Sequence, residues 1–222
     1  NEESNSCIKL TALDEERSFI WKDDNTVLFP AIRGKKDKER KEKKEEFTSF
    51  YEISLLGGEA NKAFEIPLNV SSIEFIDEDN LIVLANFDPN RPKLDKMSKE
   101  EKQKALKKME EDKDYEVLDE IPFWLNGAGF TNKKRTRLYI YNLKDKNLTP
   151  ITDEFTNVES IKLNKDKSKI IMVTSSYTDK MQIKSDLHLY DIEEESLEKL
   201  SHEEVFNYSY ADFLGDNIIF AG

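Results

Sequence analysis

The amino-acid sequence predicts an all-β fold with one inserted surface helix, and three observations support this prediction. Short apolar strands alternate with turns rich in Asp, Asn and Gly along most of the chain. Strands of the same type recur at matching intervals. Only residues 89–113 break the strand pattern.

The composition excludes several classes of protein. There are 46 acidic and 34 basic residues among 222, a net charge of −12, whereas a nucleic-acid binder needs a basic face. The 13 Phe, 8 Tyr and 2 Trp can anchor a core. Cys7 is the single cysteine, which excludes an internal disulfide and favours a reducing compartment, so we expect a cytoplasmic protein. No apolar run approaches the ~20 residues of a membrane helix, and no signal peptide is visible. Because the chain starts with Asn1, we expect its natural N-terminus to lie upstream.

The first part of the chain alternates strands and turns. Its predicted strands are 7–11, 17–21, 26–29 and 50–55. Trp21 stands beside an Asp-Asp-Asn turn and is expected to be a core residue. Residues 34–46 mix basic and acidic side chains, which is typical of a solvated hairpin loop.

The middle of the chain contains the one predicted helix. Strands 73–76 and 81–84 form a hairpin before it. Ser98 and Glu101 have the spacing of a capping box, which satisfies the free amides at a helix start. The apolar stripe that follows is thin, so we expect a surface helix over residues 98–112.

Residues 115–152 are the most informative stretch. An apolar–polar alternation over 115–121 leads to the aromatic pair Phe123-Trp124 and to a turn, Asn126-Gly127-Ala128-Gly129-Phe130, whose glycines supply backbone freedom. Strand 138–143 and a short outer strand, 148–152, follow. The remaining predicted strands are 158–163, 169–173, 187–192, 197–200, 208–213 and 218–221.

Three kinds of strand recur in one order. The first kind carries a large residue before its turn, at intervals of 54, 88 and 50 residues: Trp21, Phe75, Leu163 and Phe213. An aromatic-rich strand and a closing strand recur at intervals that agree within one residue. The long interval contains the insertion 89–113. A repeat of four short strands is the signature of a β-propeller blade, and an ordinary β-sandwich is the alternative.

The repeat therefore predicts a partial β-propeller of four-stranded blades over residues 1–222. We expect full blades near residues 16–66, 70–152 and 156–202, the helical insertion 89–113, and partial blades at 7–11 and 207–221. Each blade is apolar on both faces and must stack against its neighbours. Unpaired strand edges at the partial blades favour self-association.

The stretch of residues 115–152 resembles the propeller of the acylaminoacyl-peptidase-like and dipeptidyl-peptidase-like branch of the prolyl oligopeptidase family. In that branch an Asp-x-x-Val-Ile strand leads to an aromatic pair, followed by Asn/Asp-Gly-x-Gly-Phe/Tyr, a Leu-Tyr-hydrophobic strand and a Leu-Thr ending. The matching residues here are Tyr115-Glu116-Val117-Leu118, Phe123-Trp124, Asn126-Gly127-Ala128-Gly129-Phe130, Leu138-Tyr139 and Ile151-Thr152, so the resemblance implies a strand at 115–118.

The resemblance implies one part of a two-part serine peptidase, in which a propeller caps a C-terminal α/β-hydrolase domain that carries Ser, Asp and His. None of the seven glycines belongs to a G-x-S-x-G nucleophile turn, so we expect that catalytic domain to be absent from this chain. We predict no catalytic, cofactor-binding or metal-binding residue. His188 takes the slot of Tyr139 and is expected to pack, while His202 lies in a polar turn.

By the same resemblance, the expected function is a non-catalytic propeller region that caps the active site and filters peptide substrates by size. The candidates for facing the catalytic domain or the substrate are Phe123, Trp124, Asn126, Gly127, Gly129 and Phe130. The expected partners are that hydrolase domain and peptides, with neither nucleic acid nor membrane. The alternative is a free-standing β-propeller used as a protein-interaction scaffold.

Overall fold

The computed structural model describes residues 9–11, 16, 18–94, 97–201 and 206–222. Within these ranges the chain consists mainly of antiparallel sheets, with two helices. The predicted predominance of strands is confirmed, but the chain has a second helix that the sequence analysis missed.

Each of the three larger sheets has four strands. Sheet 1 has the order β1 (Ile20–Asp23), β2 (Thr26–Pro30), β3 (Thr48–Ser54) and β4 (Asn61–Ile66). The next strands along the chain are β5 (Asn69–Phe75), β6 (Asn80–Phe87), β7 (Trp124–Leu125), β8 (Gly129–Phe130), β9 (Arg135–Asn142) and β10 (Leu148–Pro150). Sheet 2 has the order β5-β6-β9-β10, whereas β7 pairs only with β8. Sheet 3 has the order β11 (Thr156–Leu163), β12 (Lys169–Ser176), β13 (Asp186–Asp191) and β14 (Ser196–Lys199). A final pair contains β15 (Tyr210–Leu214) and β16 (Asn217–Ala221).

The sheets share one register. The residue that the sequence analysis singled out in each first strand pairs with the second residue of the following strand. These pairs are Trp21 with Val27, Phe75 with Leu81, Leu163 with Ile170, and Phe213 with Ile218. The predicted equivalence of the four positions is therefore confirmed.

The core lies between the sheets, because the central strands are apolar on both faces. In β6, Leu81 and Val83 pack towards sheet 1, while Ile82 packs towards sheet 3. In β12, Ile170 packs against sheet 2 and Ile171 packs towards β15. Side chains alternate across a strand, so a fully apolar strand buries both faces only when sheets stack on both sides of it.

The hydroxyl residue that ends each of sheets 2 and 3 has a hydrogen-bonding role. The Thr152 hydroxyl accepts a hydrogen bond from the Leu138 amide at 3.1 Å. In sheet 3 the Ser201 hydroxyl accepts one from the Leu187 amide at 3.4 Å. Each hydroxyl lies just beyond the fourth strand of its sheet, and it satisfies a buried amide of the third strand.

Residues 34–46 do not form the predicted solvated hairpin loop, because α1 (Lys35–Glu42) lies there. The half-buried Arg40 binds Glu65 of β4 through two hydrogen bonds of 2.9 and 2.8 Å and covers the ring of Phe47 at 3.8 Å. Asp37 is nearly buried and pairs with Lys62 at 3.1 Å. The sequence has no apolar helical stripe here, so hydrophobic periodicity could not reveal a helix that ion pairs hold to the sheet.

The predicted helix is present as α2 (Lys99–Glu111). Ser98 and Glu101 form both hydrogen bonds of the capping box, at 2.9 and 3.3 Å. Every residue of α2 is described, and none is buried. The capping box and the surface position are both confirmed.

Three other expectations need correction or fall outside the described residues. Trp21 is 55% exposed and therefore is not a core residue; its ring meets the ring of Phe19 edge-on. Residues 115–119 alternate in polarity but form no strand, and Tyr115 and Val117 are exposed. Of the predicted strand 7–11, residues 9–11 are described and are not in a strand.

Candidate functional site

The connections between the second and third strands of neighbouring sheets contact each other. They comprise residues 31–47 in sheet 1, 88–134 in sheet 2 and 177–185 in sheet 3, and we call them the connection layer. Lys102 binds Glu45 at 2.6 Å and so joins the first connection to the second. Backbone hydrogen bonds of Ile121 join the second connection to the third. The candidate site residues belong to this layer.

The predicted aromatic motif forms a small hairpin, residues 121–130, which we call the aromatic hairpin. Trp124 pairs with Phe130 across β7 and β8, and their rings meet edge-to-face with centroids 5.0 Å apart. Thr131 closes the hairpin, because its amide donates to the Phe123 carbonyl at 3.1 Å and its hydroxyl donates to the Pro122 carbonyl at 2.8 Å.

The glycines of the motif permit this geometry. Gly127 and Gly129 have φ angles of 81° and 80°, in the region that residues with a Cβ rarely adopt. Gly129 also lies against the Trp124 ring, to which an added Cβ would be 3.8 Å distant. The sequence prediction of a glycine-dependent turn is confirmed.

The aromatic hairpin exposes apolar surface. Phe123 and Trp124 are 51% and 50% exposed, and Ile121 and Leu125 are exposed beside them. Asn126 and Gly127 lie exposed at the tip, whereas Gly129 and Phe130 are half-buried. Adjacent exposed apolar side chains on one loop are characteristic of a contact surface. The structure thus brings the six candidates together on one loop; whether they face a catalytic domain or a substrate stays a prediction.

The root of the hairpin contains a buried ion pair that the sequence analysis missed. Arg135 and Glu120 have side chains that are each only 1% exposed, with Nη2 and Oε2 2.7 Å apart. The Lys133 amide also donates to Glu120 Oε1 at 2.7 Å. Burial acts to raise the pKa of Glu120, but the Arg135 guanidinium and the Lys133 amide outweigh it and hold the pKa below its usual value. No local pattern distinguishes this pair from the many charged residues around it.

His188 has the environment of a packing residue. It pairs with Met172 where Tyr139 of sheet 2 pairs with Val83, so the predicted correspondence of the two slots is confirmed. Its Nδ1 lies 3.0 Å from the Thr174 hydroxyl, and burial lowers the pKa of the imidazole. His202 lies outside the described residues. Among the described residues no group of three or more His, Cys, Asp and Glu side chains could hold a metal ion.

A cleft of about 320 Å³ opens in the connection layer between the first and second connections. It is lined by Lys41, Lys44, Glu45, Glu46, Asn69, Arg91 and Met109. Both charge signs line it, and Lys44 and Glu45 already form ion pairs with Glu110 and Lys102. The cleft therefore has no clear preference for a cation or an anion.

Comparison with known proteins found no matching family model and no similar curated protein. The structure is similar to the acylaminoacyl peptidase of Pyrococcus horikoshii, with a TM-score of 0.47 and 15% identity over 80% of this chain and 23% of that chain. It is also similar to the β-propeller domain of the Trilobed protease from Pyrococcus furiosus, with a TM-score of 0.47 and 13% identity over 91% of this chain and 44% of that chain. A structure from an analysis of two prolyl endopeptidases matches with a TM-score of 0.47 and 12% identity over 88% of this chain and 23% of that chain. The chain thus spans less than half of the length of each of these structures.

Among the described residues, neither α1 nor α2 is long and apolar enough to cross a bilayer.

Proposed function

We propose that this chain is part of a β-propeller in a serine peptidase of the prolyl oligopeptidase type. The observation that carries the proposal is the repetition: three four-stranded antiparallel sheets share one register and bury apolar clusters between neighbours. In the proposed arrangement, full blades lie near residues 16–66, 70–152 and 156–202, and the partial blade at 207–221 belongs to the next blade. The peptidase assignment comes from the sequence motif of residues 123–152.

In this proposal the propeller caps the active site of an α/β-hydrolase domain and limits entry to peptides of small size. The connection layer is the side that faces the hydrolase domain or the incoming peptide. Support comes from the aromatic hairpin, since the side chains of Phe123 and Trp124 are each about half exposed, at 51% and 50%. The single cysteine fits a reducing compartment such as the cytoplasm.

The first test locates the nucleophile in the full-length protein. A fluorophosphonate probe that reacts with activated serines should label the protein at a serine outside residues 1–222, because acyl transfer needs a base and an oxyanion hole beside the nucleophile. Residues 1–222 expressed alone should neither be labelled nor hydrolyse N-acyl-peptide, dipeptidyl or ester substrates. Labelling at a serine within residues 1–222, together with turnover, would contradict the proposal.

The second test concerns the aromatic hairpin. Trp124→Ala in the full-length enzyme should change kcat/KM by about tenfold for peptides that reach the hairpin, equivalent to ~1.4 kcal/mol of transition-state binding. Trp21→Ala is the matched control, because Trp21 is equally exposed but lies in sheet 1 away from the connection layer. Equal kinetics and unchanged association of the domains in the Trp124 variant would remove the hairpin from the proposed contact surface.

The scaffold alternative is favoured by the same exposed rings, because aromatic side chains are enriched where proteins bind one another. It predicts a full-length protein with no probe-reactive serine, in which Trp124→Ala weakens capture of a protein partner. The probe experiment therefore separates the two functions.

A further inference from the structure

The side chain of Arg135 joins four segments of the chain. Besides Glu120, its guanidinium donates to the carbonyl of Lys134 at 2.9 Å, of Phe155 at 3.3 Å and of Tyr177 at 3.2 Å. Phe155 lies between sheets 2 and 3, and Tyr177 belongs to the third connection. The guanidinium also lies 3.8 Å from the centroid of the Tyr177 ring.

Ile121, the residue after Glu120, connects the aromatic hairpin to the third connection. The Ile121 amide donates to the Asp179 carbonyl at 2.8 Å, and the Met181 amide donates to the Ile121 carbonyl at 2.7 Å. The start of the hairpin therefore runs beside the third connection as a short parallel bridge. Glu120 and Ile121 anchor the hairpin to sheet 3, although the hairpin belongs to the connection of sheet 2.

The strands of the aromatic hairpin contribute little to fixing its orientation. β7 and β8 contain only two residues each, and the side chains of Ile121, Phe123 and Trp124 are half exposed or more. A two-stranded hairpin of this size is not stable by itself in water. Its orientation must come from contacts at its root.

We infer that Arg135 is a positioning residue, which holds the aromatic hairpin against sheet 3 through its ion pair with Glu120. Under the proposed function, Arg135 fixes where Phe123 and Trp124 meet the hydrolase domain or the peptide. Only this consequence rests on the proposed function. A lysine could not replace it, because a point ammonium cannot satisfy a carboxylate in bidentate fashion together with three carbonyls.

Two variants separate positioning from simple stability. Arg135→Lys keeps a cation beside Glu120, so no buried carboxylate is left without a countercharge. The double variant Glu120→Leu/Arg135→Met replaces the pair with apolar groups, an exchange that is often neutral for folding. The matched control is Asp119→Asn, which breaks the neighbouring but exposed pair with Lys133.

Hydrogen exchange read by mass spectrometry is the first measurement. Both variants should speed exchange of the amides of residues 121–131 and 179–181 by about tenfold, while peptides of sheet 1 and the control variant keep wild-type rates. The second measurement is acrylamide quenching of residues 1–222 in a Trp21→Phe background, in which Trp124 is the only tryptophan of these residues. The quenching constant should rise roughly twofold in both variants.

Local loosening with intact sheets supports the inference. Wild-type exchange in residues 121–131 and unchanged quenching would overturn it, and so would faster exchange spread evenly over all sheets. These readouts need no enzymatic activity. The positioning role can therefore fail while the peptidase assignment stands, and the reverse is equally possible.

Discussion

Sheets 2 and 3 have the same framework but very different connections. Tyr141 pairs with Leu81 in sheet 2 as Tyr190 pairs with Ile170 in sheet 3. Yet the second and third strands are joined by residues 88–134 in sheet 2 and only by residues 177–185 in sheet 3. The long connection contains α2 and the aromatic hairpin without any shift of the strand register.

The difference shows that the strands and the connections are held in place by different forces. The strands are fixed by apolar side chains between sheets, a short-range pattern that repeats along the sequence. The connections are fixed by ion pairs and backbone hydrogen bonds to distant segments, such as that between Arg40 and Glu65 or that between Ile121 and Asp179. The strands of sheet 2 therefore keep their register despite the long insertion between them. The insertion itself is held in place by the contacts of the connections.

The substitutions with the largest expected effect test whether the strands of sheets 2 and 3 are equivalent. Leu138 and Leu187 are both buried in third strands, and each amide donates to the hydroxyl that follows its fourth strand. Leu138→Ala and Leu187→Ala should each lower the free energy of unfolding by about 2–5 kcal/mol. Urea unfolding monitored by circular dichroism measures this.

The exposed Leu197→Ala in β14 is the control and should change the stability by less than about 0.5 kcal/mol. If only one of the two buried leucines matters, the shared register does not reflect a shared core.

The sequence predicted the framework well because its cause is local. Alternating apolar residues and turn residues located nearly every strand, and the intervals between Trp21, Phe75 and Leu163 revealed the register. Trp21 was wrongly expected in the core, since an aromatic residue in a strand does not reveal which of its faces is covered. The hairpin turn was predictable because Gly127 and Gly129 are needed there. The pair of Glu120 and Arg135 was not, because only the folded chain brings them together.

The second effect tests the ionic anchoring of the first connection. Glu65 accepts hydrogen bonds from Arg40 and Lys62; burial opposes ionisation, but these partners lower its pKa from 4.5 to about 2. Because the folded-state pKa is depressed, the stabilisation is complete above about pH 4.5 and is lost as the pH falls from there towards 2. We expect it to be on the order of 2 kcal/mol, given the partial exposure of the group.

Chemical unfolding of wild type and Glu65→Gln between pH 6 and pH 2 measures this contribution. The variant should be less stable at pH 6, and the difference should shrink through this range. The exposed Glu59→Gln should follow the wild-type profile. A difference that is independent of pH would show that Glu65 acts through packing and not through its charge.

The smallest effect concerns α2, the helix of the long connection, in which no residue is buried. Ser98→Ala removes the hydroxyl that accepts the Glu101 amide at 3.3 Å and should destabilise the helix by about 1 kcal/mol. Because no residue of α2 is buried, this loss should stay local. Amides of residues 99–111 should exchange about fivefold faster, the equivalent of ~1 kcal/mol, while the urea midpoint of the sheets stays unchanged. Ser98→Asp, which retains an N-cap acceptor, should restore the slow exchange. A shifted midpoint in Ser98→Ala would mean that the insertion supports sheet 2, and that the frameworks of sheets 2 and 3 are less alike than their registers indicate.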